Sequence, residues 1–435
     1  MKPYGHNRYP KAVLHVDGDS FFAQCEVAKR PSLKGYPVVT GSERGIVSAL
    51  TYEAKARGVK RGMPIYEVKK ICPDVVVFPS DYESYSLYSL RMYSVVRRYT
   101  PQVEEYSIDE CFADITGLRR SLRMSYEKIA ECIKRDLITE LGITFSVGLA
   151  PSKVLAKVAS KWSKPDGLCF IPLNRAHTYL SRLPVEDVWG IGSQTSAFLK
   201  KHGIYTAHHL ATADLGWAER NLSKPYMEIK RELLGEAVYE VDCLTKTKYR
   251  SISKTKTFTP PSSERSLVFS HLSKNIENAC IKARRHGLAT ERVYFYLKTQ
   301  DFRSFGTEVK MSQAVSTPEV IVSCVEEAFD RVYKKGILYR ATGVVLGKLC
   351  EEKAIQPDLF GTSFSAEKTK VVHSHIDRLQ SRYGKHVVFL GSSALALKYG
   401  SSGGRKDTAE RKVSIRFKGE TERRKIGIPF LGEAS

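Results

Sequence analysis

The chain has 435 residues and a mass of 48.9 kDa, with 42% hydrophobic and 27% charged residues. This composition is close to a globular average and excludes a disordered or collagen-like chain, and the length suffices for roughly two to four domains. The 69 lysines and arginines exceed the 47 acidic residues, giving a net charge of +22. Such a balance is typical of proteins that bind polyanions, either nucleic acid or an anionic membrane surface.

Several classes of protein are disfavoured by what the sequence lacks. Its longest apolar stretches are like residues 75–78, far short of the roughly 18 residues of a membrane-spanning helix. The N-terminal residues have no apolar core of a signal peptide. The nine cysteines lie far apart without a CxxC pair, which argues against a zinc ribbon. We therefore expect a cytoplasmic protein with reduced, mostly buried thiols and no membrane partner.

The first 180 residues alternate short apolar runs with amphipathic segments. The pattern predicts strands at residues 12–16, 110–115, 143–149 and 167–171. It predicts helices at residues 20–29, 123–141 and 153–162, the last with residues 151–152 in the capping position. Together these elements indicate an α/β layer with a sheet at its centre.

Positive charge is concentrated later in the chain. Residues 244–350 contain 19 basic and 9 acidic residues. This excess fits either a lysine-rich solubilising surface or a footprint on the DNA backbone, where neutralised phosphates release counterions. Residues 243–257 are predicted as an extended linker leading into a strand, residues 387–391 as a strand, and residues 399–407 as flexible by composition.

Two pairs of acids lie at the predicted ends of strands. Asp17 and Asp19 follow the first strand, and Asp109 and Glu110 stand where a later strand begins. Hard oxygen ligands of this kind suit Mg²⁺ rather than Zn²⁺. Two such ions roughly 3.5–4 Å apart can catalyse phosphoryl transfer. On spacing alone, solvated strand caps are the alternative interpretation.

Four segments in order resemble the Y-family translesion DNA polymerases of the DNA polymerase IV and UmuC type. They are VDGDSFFAQCE (16–26), YSIDECFADITG (106–117), SVGLAPSKVLAKVASKWSKPDG (146–167) and LPVEDVWGIG (183–192). The resemblance spans roughly residues 11–360 and implies a multidomain α/β and α+β fold, a right-hand polymerase. The implied divisions are a palm (11–30 and 80–180), fingers (31–79), a helix–hairpin–helix thumb (181–243), a linker (244–256), a little finger (257–352) and a C-terminal tail (353–435).

The resemblance assigns Asp17, Asp109 and Glu110 as catalytic carboxylates that bind two Mg²⁺ ions, with the backbone carbonyl of Gly18 completing one shell. Members of the family usually carry a bulkier residue at the position of Gly18. Asp19 is expected to have a structural, hydrogen-bonding role.

Phe22 falls at the position of the family's steric gate, where an aromatic ring excludes a 2′-hydroxyl. A core phenylalanine is the alternative, and one of Phe21 and Phe22 is expected in the core because helix spacing points them apart.

Contacts with dNTP and DNA are also implied by the resemblance. Tyr52, Lys55 and Lys164 are expected to bind the triphosphate, with Lys55 replacing a common arginine and Ala49 a common threonine. Residues 188–204 fit a helix–hairpin–helix in which Gly190 and Gly192 let backbone N–H groups approach a phosphate. Further DNA contacts are expected from a strand with outward lysines and from three other cations. These residues are Lys254, Lys256, Arg284, Arg285 and Lys298.

Residues 356–360, QPDLF, resemble the peptide that bacterial polymerases insert into the sliding clamp. Gln356 would fill a polar pocket on the clamp, and Leu359 and Phe360 an apolar one.

The resemblance therefore implies template-directed, low-fidelity synthesis across damaged DNA, in DNA repair and the SOS response. A DNA- and clamp-binding scaffold without activity would predict disrupted carboxylates, whereas all three are present. A nucleotidyl cyclase would not explain the hairpin, the basic segment or the clamp peptide. The need for an accessory subunit stays open, because UmuC-type enzymes generally require partners and polymerase IV types act alone.

Overall fold

The computed structural model describes residues 8–243, 249–352, 362–383 and 386–400. The chain divides into two compact units with the boundary between residues 245 and 246. Each unit has its own sheets and its own hydrophobic core.

The first unit contains eight described strands and twelve described α-helices. Its strands are β1 (Val13–Gly18), β2 (Val38–Thr40), β3 (Ala49–Leu50), β4 (Val76–Phe78), β5 (Val103–Ser107), β6 (Glu110–Asp114), β7 (Phe145–Ala150) and β8 (Leu168–Phe170). Its helices are α1 (Phe21–Lys29), α2 (Tyr52–Ala56), α3 (Ile65–Ile71), α4 (Tyr82–Arg97), α5 (Leu118–Leu122), α6 (Tyr126–Leu141), α7 (Lys153–Trp162), α8 (Ala176–Leu180), α9 (Ser193–Lys201), α10 (Ala207–Thr212), α11 (Leu215–Asn221) and α12 (Lys224–Leu233).

A five-stranded sheet with the order β5-β6-β1-β7-β8 forms the centre of this unit. Strand β1 is antiparallel to both β6 and β7, and all six of its residues are buried. Leu14 and Val16 pack into a core with residues of α4 and α6, whereas Val13 packs with residues of α7. The predicted α/β layer is thus confirmed, and helix α7 has the predicted bounds with the Ser152 hydroxyl accepting from the N–H of Leu155.

Two smaller parts of the first unit have distinct packing. Residues 38–78 form a three-stranded sheet, β3-β2-β4, over a core that includes Val39, Val47 and Val68. Helices α8–α12 share the core that includes Val13 and the apolar residues of α7. The buried residues of this small core have short side chains, so each buries little apolar surface.

The second unit has the element order βαββαβ followed by two further helices. Its strands are β9 (Ile252–Ser262), β10 (Leu288–Thr299), β11 (Ser304–Val315) and β12 (Tyr339–Glu351). Its helices are α13 (Arg265–Arg285), α14 (Pro318–Val332), α15 (Thr362–Tyr383) and α16 (Ala394–Gly400). The strands form an antiparallel sheet of order β11-β10-β12-β9, and α13 and α14 share its core.

Three sequence predictions need correction or lie outside the described residues. Strand β9 begins at Ile252, so residues 252–256, assigned above to the linker 244–256, lie in the sheet, where they pair with β12. Residues 387–390 have irregular structure rather than forming a strand, because Val387, Val388 and Phe389 find no strand partner among the described residues. The clamp-like residues Gln356, Leu359 and Phe360 lie outside the described residues.

Other expectations from composition can be compared directly. All nine cysteines are free, and six of them are buried, as expected for reduced thiols. Among the residues that the structure describes, no helix has both the length and the apolar composition needed to span a membrane.

Candidate active site

The pairing of β1 with β6 brings two of the predicted carboxylates together. Asp17 lies directly opposite Glu110 in the antiparallel register, and such cross-strand partners point to the same face of the sheet. Asp109 lies in the tight turn between β5 and β6, and its backbone carbonyl accepts from the N–H of Gly18 at 2.8 Å. The end of β1 and the β5–β6 turn therefore place all three acids at one edge of the sheet.

His15 joins this cluster, although the sequence analysis did not single it out. Ligand atoms of His15, Asp17 and Glu110 all lie within 4.8 Å of one another. Asp109 is not in that group; its carboxylate accepts from the Ser107 hydroxyl at 2.8 Å. The position of His15 two residues before Asp17, on the same strand face, is the signal that could have identified it. Carboxylates from two adjacent strands, with a third at the turn, are a donor set that fits a hard divalent cation.

Two lysines neutralise the carboxylates in this structure. Lys164 forms an ion pair with Asp17, and Lys157 forms one with Glu110. Burial raises the pKa of Asp17 to about 6 even though Lys164 opposes the shift. Burial would also raise the pKa of Glu110, but hydrogen bonds from His15 and Lys157 outweigh it and lower that pKa to about 2. The two opposed acids therefore differ in how readily they carry charge.

The protonation of His15 follows from its surroundings. Burial lowers the pKa of His15 to about 4, so the imidazole is neutral near pH 7. Its Nε2 lies 3.2 Å from Glu110 Oε2, and its Nδ1 lies 2.6 Å from the Ser160 hydroxyl. An ionised carboxylate only accepts, so Nε2 carries the proton and Nδ1 accepts from Ser160. His15 thus donates to Glu110 and holds it toward the sheet.

Asp19 has hydrogen-bonding partners that differ from those of the other acids. It is fully buried, and it accepts from the Ser146 hydroxyl at 2.8 Å and from the N–H of Asp166 at 2.7 Å. These bonds join the end of β1 to β7 and to the loop before β8. The expected structural role of Asp19 agrees with this geometry.

The two adjacent phenylalanines of α1 have separate environments. Phe21 is buried in the core, whereas Phe22 is only partly buried. The ring of Phe22 stacks on Tyr85, with centroids 4.5 Å apart and an interplanar angle of 12°, and meets Tyr82 edge-on. Tyr85 donates to Glu26, which pairs with Lys29. Phe22 is therefore held by aromatic contacts with α4.

Gly18 has a packing reason for lacking a side chain. A Cβ at this position would lie 2.6 Å from the ring of Phe21. The bulkier residue usual in the family would need Phe21 to move, so the glycine and the core position of Phe21 belong together.

The expected triphosphate residues are distributed over two elements. Tyr52 begins α2, and its pKa is raised to about 12 by burial and by the charges of Asp19 and Asp17, which places it near the carboxylates. Lys55 is exposed, with its ammonium 5.6 Å from the centroid of Tyr52. Lys164 lies next to Asp17. The structure thus brings Tyr52 and Lys164 to the carboxylates, with Lys55 adjacent to Tyr52.

The predicted hairpin lies on the surface of the first unit. Gly190 has a φ of 92° and both Gly190 and Gly192 are exposed, followed by α9 with Gly192 at its N-cap. A side chain at Gly190 would be strained in this left-handed conformation and would also meet Ile229. The turn therefore presents backbone to solvent, as the hairpin prediction requires.

The two lysines of the basic strand in the second unit differ in exposure. Lys254 opposes the buried Val344, and Lys256 opposes the buried Thr342. Both lysines therefore lie on the helix-bearing side of the sheet edge, where burial, with Lys282 and Arg285, lowers the pKa of Lys254. The predicted alternation of lysine and threonine is present, and Lys256 is exposed whereas Lys254 is half-buried.

The open face of that sheet carries different side chains. Thr255 is hydrogen bonded to the Tyr296 hydroxyl at 2.7 Å, and Tyr294 is 42% exposed on the same face. Lys298 lies two residues beyond Tyr296 on the same face of β10, and its ammonium is 5.0 Å from the Phe302 ring centroid. Sequence reasoning missed the two tyrosines, although their spacing of two within β10 was visible.

Arg284 does not have the exposed position that a DNA contact requires. It forms a two-bond pair with Asp377 of α15, both bonds 2.8 Å long, and its side chain is only 9% exposed. The sequence analysis assigned it to DNA because α15 could not be placed against α13 from the sequence. Arg284 instead attaches α15 to the rest of the second unit, whereas Arg285 is exposed.

The chain is similar to known proteins over most of its length. Residues 16–161 match the impB/mucB/samB family, and residues 249–359 match the C-terminal domain of the same family. The DNA polymerase IV of Bacillus velezensis is 30% identical, covering 88% of this chain and 93% of the relative. The DNA polymerase IV of Lactococcus lactis subsp. cremoris is 31% identical, covering 80% of this chain and 97% of the relative.

A solved structure is also similar. A chimera of the Y-family DNA polymerases Dbh and Dpo4 superposes with a TM-score of 0.64 and 25% identity, covering 78% of this chain and 98% of the chimera. A ternary complex of Dbh, at 24% identity and a TM-score of 0.50, shares the fold.

Proposed function

The chain belongs to the impB/mucB/samB family of Y-family DNA polymerases, and on that basis we propose that Asp17, Asp109 and Glu110 hold two Mg²⁺ ions for nucleotidyl transfer from dNTPs. The protein is a DNA-directed DNA polymerase that performs low-fidelity, translesion synthesis. The observation that carries the metal proposal is the direct opposition of Asp17 and Glu110, with Asp109 at the adjoining turn.

Each residue of the site has a distinct task. When bound, two such ions activate the attacking 3′-oxygen and stabilise the leaving pyrophosphate oxygen. Asp17 and Glu110 supply oxygens from neighbouring strands, and the carbonyl of Gly18 is the proposed backbone ligand. His15 and Lys157 hold Glu110 in its ionised form, and Lys164 neutralises Asp17. Preorganised charges of this kind require little rearrangement during the reaction.

Primer extension with purified protein tests the metal assignment. Glu110→Gln and Asp109→Asn should each reduce extension by at least about 10²-fold, because each removes a charged ligand of the site. Asp114→Asn is the matched control, since Asp114 ends the same strand and accepts from the Thr116 N–H. Wild-type extension by both site variants would overturn the assignment. Extension by the chain alone would also show that no accessory subunit is required.

Substrate choice is proposed to depend on Phe22 and on three triphosphate contacts. Phe22 is the proposed steric gate, and its stacking on Tyr85 keeps the ring in place. Tyr52, Lys55 and Lys164 are the proposed contacts of the dNTP triphosphate. Lysine offers a point charge without the two-pronged geometry of arginine, so we expect Lys55→Arg to lower the KM for dNTP.

DNA is proposed to bind through both units. In the first, the exposed turn of Gly190 and Gly192 offers backbone N–H groups to a phosphate. In the second, Lys254 lies near Lys282 and Arg285, and Lys256 lies near Lys274, so these residues form a basic edge. Within the divisions implied by the resemblance, these sites belong to the thumb (181–243) and the little finger. We propose that the little finger extends from residue 252 to 352, because β9 begins at Ile252.

The QPDLF segment is proposed to bind the bacterial sliding clamp. Its residues lie outside the described part of the chain, and the proposal rests on the motif and on its position after β12. Binding of the full chain to purified clamp should weaken at least about tenfold in Phe360→Ala, because an apolar anchor is lost. Asp358→Ala is the control within the motif. Equal binding by both variants would overturn the proposal.

A further inference from the structure

Lys157 lies between a proposed metal ligand and the turn of the hairpin. Its side chain is 7% exposed and its ammonium forms an ion pair with Glu110 Oε2. The same ammonium lies 4.6 Å from the ring centroid of Tyr106 and 5.2 Å from that of Trp189. Trp189 directly precedes Gly190 in the sequence. One buried charge therefore contacts both the carboxylate and the residue next to the exposed turn.

The two donors to Glu110 select one of its oxygens. His15 and Lys157 both bind Oε2. Within the described part of the chain, no residue donates a hydrogen bond to Oε1. This arrangement orients the carboxylate so that Oε1 is available to a cation, and a shift of the Lys157 ammonium would rotate the group or release it.

Trp189 is fixed by the same set of aromatic rings. It meets Tyr106 edge-on at 5.4 Å and lies 5.7 Å from Phe112, which is on β6 with Glu110. The ammonium of a lysine over such rings is attracted by the negative faces of their π-systems. Trp189, Lys157 and Glu110 therefore form a continuous chain of contacts from the hairpin to the carboxylates.

Packing alone does not require the buried charge of Lys157. A buried ion pair is often no more stabilising than apolar residues of the same volume.

The close approach of α7 to the sheet has a specific backbone requirement. A Cβ on Gly148 would lie 2.2 Å from the carbonyl oxygen of Ala156. The missing side chain lets α7 lie against β7 and bring Lys157 to Glu110.

We propose that Lys157 is a positioning residue that couples duplex binding at the turn of Trp189 and Gly190 to the orientation of Glu110. The inference rests on the proposed function, because it takes Glu110 as a metal ligand and the turn as a DNA contact. DNA that restrains the turn restrains Trp189 and, through it, Lys157 and the carboxylate. By linkage, a metal held by Glu110 must strengthen DNA binding by the same factor by which DNA strengthens metal binding.

Lys153 is a matched control on the same helix. It lies one turn before Lys157, its side chain is 6% exposed, and it pairs with Glu104 at 2.5 Å. Its ammonium also lies over an aromatic ring, 4.7 Å from the centroid of Phe112. Lys153 therefore resembles Lys157 in burial, charge and aromatic contact, but its carboxylate is outside the proposed site.

The test compares DNA affinity with and without Mg²⁺ at constant ionic strength. Fluorescence anisotropy with labelled primer–template and no dNTP gives the ratio of the two dissociation constants for each variant. The ratio measured for Glu110→Gln is the baseline, because in this variant Mg²⁺ acts only through its effect on the DNA itself. Wild type should exceed this baseline by at least about 5-fold, the lower end of ordinary coupling. Lys157→Met should fall to the baseline, Lys153→Met should keep the wild-type ratio, and Lys157→Arg should recover at least part of it.

The outcomes distinguish failure of this inference from failure of the proposed function. If Lys157→Met keeps the wild-type ratio, or Lys153→Met loses it equally, the coupling role of Lys157 is overturned. If Glu110→Gln itself keeps the wild-type ratio, the metal assignment fails instead. Trp189→Leu breaks the chain from the other end and covers the case in which Lys157→Met does not fold. It should also fall to the baseline, and a wild-type ratio there would contradict the inference.

Discussion

The ring of Phe22 lies parallel to that of Tyr85, with centroids 4.5 Å apart. Phe22 belongs to α1 and Tyr85 to α4, so the proposed steric gate depends on the packing of two helices. The Tyr85 hydroxyl donates to Glu26 at 3.0 Å, and Glu26 and Asp81 share Lys29 in a buried network. The position of the gate is thus tied to polar contacts beneath it.

We predict that Tyr85→Leu relaxes discrimination against ribonucleotides about 5-fold, because a stacked aromatic pair contributes about 1 kcal/mol. Single-nucleotide insertion with matched dNTP and rNTP measures the ratio of kcat/KM values. Tyr85→Phe keeps the ring and removes the hydroxyl, so it should discriminate like wild type while lowering stability by about 1 kcal/mol. Equal loss of discrimination in both variants would contradict the stacking explanation.

A second prediction concerns acid stability of the second unit. Burial, with Lys274 and Lys256 nearby, lowers the pKa of His271 to about 4 from an ordinary value of 6.5. The folded form binds fewer protons between these values, so stability is fully present above pH 6.5 and is lost as the pH falls toward 4. The loss amounts to about 3 kcal/mol over this window. Unfolding by urea at pH 7 and pH 4 measures it.

His271→Phe should remove most of this pH dependence. The His271 ring stacks on Phe258 at 4.1 Å, and phenylalanine can keep that contact without titrating. A variant with the same acid sensitivity as wild type would show that other groups dominate in the window.

The third prediction is that Gly148→Ala displaces α7 and lowers activity beyond its effect on folding. A Cβ there would lie 2.2 Å from the Ala156 carbonyl oxygen and 2.3 Å from the Ser160 nitrogen, contacts that require the helix to move. Overpacking of this kind costs about 1–3 kcal/mol. Primer extension, normalised to the folded fraction, should fall at least about tenfold because Lys157 and Ser160 move with α7.

Gly216→Ala is the control for that change. Its Cβ would meet only Asp214 Oδ1 at 3.4 Å, and the site is within helix α11, where alanine is favoured. Activity in Gly148→Ala equal to that in Gly216→Ala would contradict the role given to the close approach of α7.

A fourth prediction separates two basic residues of the second unit. Lys256→Ala should weaken binding to primer–template and reduce the slope of log affinity against log salt by about 1, the effect of one lost phosphate contact. Arg284→Ala should leave that slope unchanged, because its guanidinium is bound to Asp377.

Arg284→Ala should instead lower the free energy of unfolding by about 3–5 kcal/mol, since it leaves a partly buried carboxylate without its partner. Denaturation and salt-dependent anisotropy on the same preparations distinguish the two effects. A reduced salt slope in Arg284→Ala would restore the DNA contact that the structure argues against.

The local sequence pattern and the order of the motifs were sufficient to predict much of the fold. Helix α7 was predicted with its observed bounds because a capping serine and an apolar periodicity are local signals. The alternation on β9 was equally visible, yet its first residues were assigned to a linker. Their pairing with β12, about 90 residues later in the chain, is not encoded in the strand itself.

The proposed catalytic carboxylates could be identified from the sequence alone, since Asp17, Asp109 and Glu110 stand in motifs whose order is specific. Only the tertiary structure decided what surrounds them. His15, Lys157 and Lys164 reach the two acids across separations of 95, 47 and 147 residues. Such contacts depend on strand register and on how closely α7 approaches the sheet. The same reason explains why Arg284 faces α15 rather than solvent: side-chain direction follows from the partner element, which no local pattern specifies.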